Sequence, residues 1–209
     1  MPASPARYGR AVRDYYEELW RRLPEGLEPP GFERRRGFLL AHVQPGDRVL
    51  DLGSGAGDFT AVLAAADAQP VGIEIAEAAV QRARREHPDL DFRLAPIDGP
   101  LPLEDNVFDL VWASEVIEHI ADTARSLSEI RRVLRPGGRL LVTTPSHGRL
   151  RLALGGTERF SEPLGDHLHL YTRRSLAETL REFDFDEIHI DGAGGPPGFR
   201  RMLLARATR

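Results

Sequence analysis

The segment VLDLGSGAGD, residues 49–58, limits the possible folds of this chain more than any other stretch. An apolar run of strand length leads into its glycines, and an apolar helical pattern follows them. Glycines at such a turn let the backbone approach a ligand closely, because no Cβ stands in the way. The segment therefore predicts an α/β fold with a ligand-binding loop between its first strand and the next helix.

The spacing of the loop glycines separates two classes of ligand. Gly53, Gly55 and Gly57 form GxGxG, whereas a dinucleotide-binding loop needs GxGxxG, and Asp58 stands at the last position of that pattern. A diphosphate would be repelled by Asp51 and Asp58, while a ligand with positive charge would be attracted. A strand–helix turn that uses glycine for its shape alone stays open as the alternative.

Short apolar segments alternate with helical patterns along most of the chain. This alternation predicts a mostly parallel sheet with helices on both faces. The last two strands follow each other without a helix between them, which indicates an antiparallel pair. Predicted helices cover residues 8–23, 32–42, 59–66, 77–86, 123–134 and 173–183, and predicted strands cover 48–52, 70–75, 90–94, 107–113, 139–144, 185–190 and 199–205.

Two absences from the composition exclude several kinds of chemistry. The 209 residues contain no cysteine, which excludes a thiol nucleophile, a thiolate zinc site and an iron–sulfur cluster. All 28 basic residues are arginine, so a P-loop lysine and a lysine Schiff base are excluded as well. The net charge of −4 argues against a nucleic-acid partner. No apolar run is long enough to span a membrane and the N-terminus lacks a signal-peptide core, so we expect a cytoplasmic protein.

An acidic residue stands at the end of the second predicted strand. Glu74 ends the run VGIE, 23 residues after Asp51. A carboxylate at this place can accept two hydrogen bonds from the hydroxyl groups of a ribose. The alternative is an ordinary surface acid. If Glu74 binds a ribose from the strand end, its replacement by alanine should weaken ligand binding and leave the fold intact.

Four segments between residues 48 and 144 together resemble the core of class I S-adenosylmethionine (SAM)-dependent methyltransferases, and the chain is similar to the ubiquinone-pathway O-methyltransferases. They are VLDLGSGAG, VGIEI, PLPLEDNVFDLVWASEVIEHI and LRPGGRLLVTTP. The resemblance implies a Rossmann-like fold with a seven-stranded, mostly parallel sheet of order 3-2-1-4-5-7-6, in which strand 7 is antiparallel. It also implies SAM as cofactor and S-adenosylhomocysteine (SAH) as product.

The resemblance also implies how the chain is organised. We expect a single methyltransferase domain over residues 1–209. Within it, residues 1–42 would form an N-terminal helical cap and residues 43–145 the SAM-binding core. Residues 146–209 would form a substrate-side segment and the C-terminal strand pair.

Most of the predicted cofactor contacts are implied by the resemblance. Asp51 would lie beneath the methionine part of SAM, and Glu74 would bind the ribose hydroxyls. Adenine is usually bound by an acid and a backbone N–H after the third strand. Here Pro96 occupies the place of the acid, so the Ile97 N–H and Asp98 would take these roles. The remaining contacts would be Gly53, Ser54, Gly55 and Gly57 along the methionine and ribose, Ile75 on the adenine, Ser114 near the methionine end, and Arg36, or its neighbour Arg35, on the SAM carboxylate.

The segment EVIEH, residues 115–119, follows the fourth strand and carries the candidate catalytic groups. Glu115, Glu118 and His119 stand at i, i+3 and i+4, which predicts that one face of a helix presents all three. His119 could act as a general base on an acceptor hydroxyl. His147, after the fifth strand, is a second candidate base. A polar helix start that only orders the cofactor pocket is the third interpretation.

A metal site is a further alternative for the same segment, although our first expectation is that the chain holds no metal. Two carboxylates and an imidazole can bind a divalent ion. The pattern Glu-x-x-Glu-His resembles metal-dependent ubiquinone-pathway O-methyltransferases and small-RNA 2′-O-methyltransferases. The latter also use a downstream histidine, and His167 stands in the segment DHLH. The ligands would then be Glu115, Glu118, His119 and His167.

We therefore expect a SAM-dependent methyltransferase that acts on a small molecule, at an oxygen atom, without binding nucleic acid or spanning a membrane. Two alternatives stay open. An RNA 2′-O-methyltransferase would use the metal-assisted EVIEH site. A NAD-dependent Rossmann oxidoreductase would share the sheet topology, although the loop spacing and the absence of lysine argue against it.

Overall fold

The computed structural model describes residues 5–96, 100–147, 167–196 and 201–209, with side chains from residue 12 onward. Within these ranges six α-helices and seven strands follow the predicted order. The helices are α1 (Pro5–Arg22), α2 (Phe32–Leu40), α3 (Asp58–Ala65), α4 (Glu77–Glu86), α5 (Thr123–Val133) and α6 (Arg173–Glu182). The strands are β1 (Arg48–Leu52), β2 (Gln69–Glu74), β3 (Asp91–Leu94), β4 (Phe108–Ser114), β5 (Leu134–Pro145), β6 (Asp186–Ala193) and β7 (Met202–Thr208). None of these helices has both the length and the apolar character that a bilayer crossing requires.

The seven strands form one sheet of order β3-β2-β1-β4-β5-β7-β6. Strands β1 to β3 pair in parallel, as do β4 and β5, whereas β7 is antiparallel to both β5 and β6. Parallel neighbours need a crossover connection, which α3, α4 and α5 provide. The predicted fold class, including the strand order and the antiparallel seventh strand, is confirmed.

The chain divides into two compact units, and the first is Met1–Leu103. Leu50 of β1 and Ile73 of β2 are fully buried. Such apolar strands are typical of a parallel sheet that is covered on both faces. Helix α4 contributes Val80 and Ala83 to a cluster with Phe92 of β3, and this contact fixes the helix that follows the end of β2.

The second unit is Glu104–Arg209, and its strands depart from the predicted boundaries. Strand β5 begins at Leu134 rather than at residue 139, because the segment Pro136-Gly137-Gly138 belongs to the strand. The register with β4 shifts at this place, which is typical of a β-bulge. Gly137 adopts a φ of 76° there, a conformation that favours glycine. Strand β7 extends to Thr208 instead of residue 205, with every second residue buried.

The start of α3 generates a prediction about stability. Gly57 has a φ of 92°, and a Cβ at this position would lie 2.6 Å from Cζ of Phe92. We expect Gly57→Ala to lower the free energy of unfolding by about 2–4 kcal/mol, because left-handed backbone strain adds to a steric clash. Urea unfolding of the purified variants measures this loss.

The matched control is Gly46→Ala. Gly46 has a similar φ of 86°, but none of the described atoms would lie within 4 Å of its Cβ. The control should therefore lose only the conformational part, about 1–2 kcal/mol. Equal losses in the two variants would show that the contact with Phe92 does not constrain the loop.

Candidate functional site

The glycine loop is fastened to the end of strand β2 by backbone hydrogen bonds. The N–H groups of Gly53 and Ser54 both donate to the carbonyl oxygen of Ile73, at 2.8 and 3.0 Å. Gly53, Gly55 and Gly57 have φ angles of 74°, 55° and 92°. All three lie in the left-handed region that favours glycine, so the predicted loop forms where the sequence placed it.

The Glu74 carboxylate joins the loop to the residues that follow β2. Its Oε2 accepts the N–H of Gly55 at 3.1 Å, and its Oε1 accepts the N–H groups of Ile75 and Ala76 at 2.6 and 3.1 Å. Only 6% of the residue is exposed. Burial raises the pKa of Glu74, and the three N–H donors offset part of this rise. Glu74 is therefore not the ordinary surface acid that the sequence left as an alternative.

These hydrogen bonds revise one expectation about Glu74. Alanine would remove the acceptor of three backbone N–H groups, and a buried donor without an acceptor costs about 1–3 kcal/mol. We therefore expect Glu74→Ala to destabilise the fold as well as the site. Glu74→Gln retains an oxygen at this position and is the more suitable probe of ligand binding.

Asp51 is a second buried carboxyl, in strand β1 just before the loop. It is 2% exposed, and Thr60 Oγ1 donates to its Oδ2 at 2.6 Å. Burial raises the pKa of Asp51 to about 7; the Thr60 hydrogen bond lowers it, and the charges of Glu74 and Asp58 raise it. No pattern in the sequence indicated the role of Thr60, which lies in the first turn of α3.

The two buried carboxyls suit this part of the first unit to a cationic ligand. Burial disfavours the charged forms of both Asp51 and Glu74. A ligand with positive groups nearby would favour those charged forms, whereas a diphosphate would disfavour them further. The structure therefore favours a cationic ligand, the class of ligand that Asp51 and Asp58 indicated in the sequence.

The two candidate arginines of α2 differ in their surroundings. Arg36, the predicted partner of the SAM carboxylate, is exposed, and its Nη1 lies 3.5 Å from Glu33 Oε2. Arg35 is 4% exposed; its Nη2 donates to the carbonyl oxygen of Pro30 at 2.7 Å, and its guanidinium carbon lies 5.0 Å from the ring centroid of Phe59. Because Phe59 belongs to α3, Arg35 rather than Arg36 contacts the helix that follows the glycine loop.

The other predicted cofactor contacts in the first unit, apart from the loop glycines, are Ile75, Ser54, Ile97 and Asp98. Ile75 follows β2 and is 3% exposed. Ser54 Oγ is buried and would lie 2.9 Å from a Cβ on Gly72, so the side chain points toward β2 and leaves the backbone of Ser54 as the possible ligand contact. Ile97 and Asp98 lie outside the described residues.

In the second unit, hydroxyl groups link the ends of β4 and β5. Ser114 Oγ and Thr143 Oγ1 are 2.8 Å apart, and Thr143 Oγ1 donates to Glu115 Oε1 at 2.9 Å. Glu115 has a φ of 55°. The prediction that one helical face presents Glu115, Glu118 and His119 is therefore wrong. The backbone is left-handed at Glu115, and its side chain turns toward β5. Within the segment EVIEH, a short 3₁₀ turn covers Ile117–His119.

Glu118, His119 and His167 lie together, and their potential ligand atoms are all within 4.8 Å of one another. Oε1 of Glu118 is 3.8 Å from Nε2 of His119, and the ring centroids of His119 and His167 are 4.8 Å apart. The segment after residue 166 is held here because the N–H groups of Leu168 and His169 donate to the Glu118 carbonyl oxygen, at 2.8 and 3.1 Å. Three of the four predicted metal ligands are thus brought together.

The carboxyl group of Glu118 is completely buried. Thr144 Oγ1 donates to its Oε2 at 2.9 Å, while Oε1 has no hydrogen-bond partner in the part of the chain that the structure describes. Burial raises the pKa of Glu118 to about 8; the charge of Glu115 raises it and that of His119 lowers it. At neutral pH this group therefore either holds a proton or lies next to a positive charge.

His147, the second candidate base, is fully buried. Its backbone N–H donates to the carbonyl oxygen of Tyr171 at 2.9 Å, and its ring centroid lies 6.2 Å from that of His167. The structure therefore buries this candidate base next to His167. His119, with 9% of its surface exposed, is the better placed of the two candidate bases.

Comparison with known proteins identifies the family. A family model described as a methyltransferase domain matches residues 50–142, from β1 to β5. The chain is 34% identical over 177 residues to malonyl-[acyl-carrier protein] O-methyltransferase of Methylococcus capsulatus, covering 79% of this chain and 62% of that protein. It is 31% identical over 154 residues to demethylmenaquinone methyltransferase of Symbiobacterium thermophilum, covering 68% and 61%. The chain carries a class I SAM-dependent methyltransferase domain.

SAM is therefore the cofactor of this domain. Its fold is similar to that of 1,6-didemethyltoxoflavin-N1-methyltransferase from Burkholderia thailandensis, solved with 1,6-didemethyltoxoflavin and SAH bound. The TM-score is 0.75 at 20% identity, with 100% of this chain and 92% of that chain covered, so the likeness concerns the fold. The chain spans about three fifths of the length of the two sequence relatives.

The raised pKa of Asp51 predicts how the stability of the methyltransferase domain depends on pH. A carboxyl with a pKa of 3.8 in the unfolded chain and about 7 in the folded chain binds its proton more tightly when folded. Its contribution to stability is therefore lost as pH rises from about 4 to about 7. We expect the free energy of unfolding of the cofactor-free protein, measured by urea denaturation, to fall between pH 5 and pH 8. In Asp51→Asn this fall should be smaller by about 2–3 kcal/mol.

The control for this measurement is Asp89→Asn, which removes an exposed carboxylate from the same unit. We expect it to leave the pH profile of the wild type unchanged. If Asp51→Asn also followed the wild-type profile, Asp51 could not be one of the buried groups that titrate in this range.

Proposed function

We propose that this chain transfers the methyl group of SAM to an oxygen atom of a small-molecule acceptor. The observation that carries the proposal is the buried Glu74 carboxylate, which accepts the Gly55 N–H at 3.1 Å. This hydrogen bond joins the glycine loop and the acid at the end of β2, the two elements that a SAM site of this family requires.

The residues of the first unit would divide the cofactor between them. Glu74 would accept hydrogen bonds from the ribose hydroxyls, and Asp51 would lie beneath the methionine part, where a positive ligand would favour its charged form. Arg35 replaces Arg36 as our candidate for the SAM carboxylate because it packs on α3. The other proposed contacts are Gly53, Ser54, Gly55 and Gly57 on the methionine and ribose, Ile75, Ile97 and Asp98 on the adenine, and, in the second unit, Ser114 near the methionine end.

SAM supplies a methyl group that its sulfonium already activates for displacement. The protein therefore has to hold the acceptor in line with the breaking bond and exclude water. An acceptor hydroxyl must also lose its proton, which requires a base. We assign this role to His119, which lies 3.8 Å from the Glu118 carboxyl. The proton moves to its imidazole while the acceptor oxygen bonds the methyl carbon and sulfur retains the electron pair of the broken bond.

Two observations support a small molecule that is methylated at oxygen. The Methylococcus capsulatus relative, at 34% identity, is named an O-methyltransferase. The net charge of −4 disfavours the RNA alternative, since nucleic-acid binding needs a basic surface. The family match also favours the methyltransferase over the NAD-dependent oxidoreductase.

A metal-assisted reaction is the second candidate, and the composition of the histidine cluster favours it. Glu118, His119 and His167 offer one carboxylate and two imidazoles within 4.8 Å, a donor set that fits a divalent transition metal such as Mn²⁺. The buried Oε1 of Glu118 has no hydrogen-bond partner among the described residues, which also fits a cation. Glu115 is not part of this group, because its carboxylate is turned toward Thr143.

Glu74→Gln tests the cofactor assignment. The substitution removes a charged acceptor from the ribose hydroxyls, and such hydrogen bonds contribute about 1.5–3 kcal/mol. In a calorimetric titration we expect SAH to bind the wild type and NAD to give no heat. Glu74→Gln should weaken SAH binding by about 10- to 150-fold. Glu86→Gln, an exposed acid at the end of α4, is the control and should bind as the wild type does. Binding of NAD alone, or unchanged SAH affinity in Glu74→Gln, would contradict the proposal.

The role of the histidine cluster is tested with an acceptor found by screening small hydroxyl compounds with labelled SAM. If His119 is the base, turnover should resist EDTA, and His119→Ala should lower kcat by about 10²–10⁴ with SAH affinity retained. If the cluster holds a metal, EDTA should abolish turnover and Mn²⁺ should restore it. His189→Ala, an exposed histidine of β6, is the control. EDTA-resistant turnover with an unchanged kcat in His119→Ala would exclude both candidates.

A further inference from the structure

Helix α1 is attached to helix α4 through a carboxylate. Oε1 and Oε2 of Glu17 accept the N–H groups of Glu77 and Ala78, at 2.6 and 3.1 Å. The first N–H groups of a helix have no partner within it, and the N-cap residue of α4, Ala76, has no side chain that could accept them. Glu17 therefore caps α4 from a distant part of the sequence, with its negative charge at the positive end of the helix dipole.

A buried arginine attaches the C-terminal end of α1 and the residues that follow it to the same helix. Arg82 of α4 is 8% exposed. Its Nη2 donates to the carbonyl oxygens of Leu23 and Trp20, at 2.7 and 3.2 Å, and its Nη1 donates to that of Pro24 at 3.1 Å. Its guanidinium carbon also lies 5.5 Å from the centroid of the Trp20 ring. Glu17 and Arg82 together form what we term the α1 clasp.

The α1 clasp holds the Trp20 indole on the glycine loop. A Cβ built on Gly55 would lie 2.9 Å from Cζ2 and 3.0 Å from Cη2 of Trp20. The indole thus packs against Gly55 at the place where the Cβ of any other residue would lie. Trp20 remains partly exposed, so it still has surface that a ligand on the loop can contact.

We propose that Trp20 forms a wall of the cofactor pocket and that the α1 clasp positions it there. The inference rests on the proposed function, because it requires the glycine loop to hold SAM. An aromatic ring that is held in place before the ligand arrives binds with little loss of conformational freedom. Glu17 and Arg82 would act through the position of α1, because Glu17 holds α1 to the start of α4 and Arg82 holds the residues at its C-terminal end.

Titration with SAH tests the direct contact. We expect Trp20→Ala to raise the Kd for SAH by about 10- to 100-fold, as for a buried aromatic anchor, and Trp20→Phe to raise it less. Glu18→Ala is the control, because Glu18 is an exposed neighbour on α1 that pairs with Arg22. Unfolding curves of the ligand-free variants show whether each one is folded. A folded Trp20→Ala protein with wild-type affinity would overturn the proposal.

Fluorescence provides a test that does not depend on the alanine variant. The chain has two tryptophans, and Trp112 is fully buried in β4. Saturating SAH should therefore change the emission of the wild type, and the change should disappear in Trp20→Phe. An equal change in Trp20→Phe would show that the indole of Trp20 does not contact the ligand.

A double-mutant cycle tests the positioning role of Arg82. If Arg82 acts through Trp20, Arg82→Ala should weaken SAH binding in the wild type but add little in the Trp20→Ala background. Additive effects would overturn this role. A wild-type protein that binds neither SAM nor SAH would instead refute the proposed function, so the two failures are distinguishable.

Discussion

The hydrogen bond between the Gly55 N–H and the Glu74 carboxylate is the contact on which the cofactor assignment depends. It forms because parallel pairing aligns β1 with β2, with Leu52 opposite Ile73, so that the glycine loop and the acid emerge at the same edge. Burial of the carboxylate is unfavourable, and the three N–H donors compensate for part of that cost. Oε2 accepts only one of these N–H groups, so it retains a lone pair with which to bind a ribose hydroxyl.

Buried acids occur in both units and share a physical cause. Asp51, Glu74 and Glu118 each have a raised pKa, and burial is the largest contribution in every case. An apolar residue would stabilise these positions more, so such groups are typical of functional sites. In the first unit the acids suit a cationic ligand. In the second unit, Glu118 lies next to two histidines, where either a proton or a metal ion could supply the positive charge.

The sequence predicted most of the fold because local patterns determined it. The glycine loop was evident from residues alone, since positive φ angles at a strand–helix turn require glycine. The left-handed backbone at Glu115 could not be predicted, because a helical spacing does not show where a strand end turns. Thr60, Glu17 and Arg82 were also missed. Their partners are 9 to 62 residues away, and a sequence period carries no information about such contacts.

A crystal structure of the chain with SAH tests the central claim most directly. We expect both ribose hydroxyls within hydrogen-bond distance of the Glu74 carboxylate, the homocysteine part along the loop glycines, and the Trp20 indole in contact with the ligand. SAH bound at another place, with Glu74 still satisfied only by the backbone of residues 55, 75 and 76, would contradict the account.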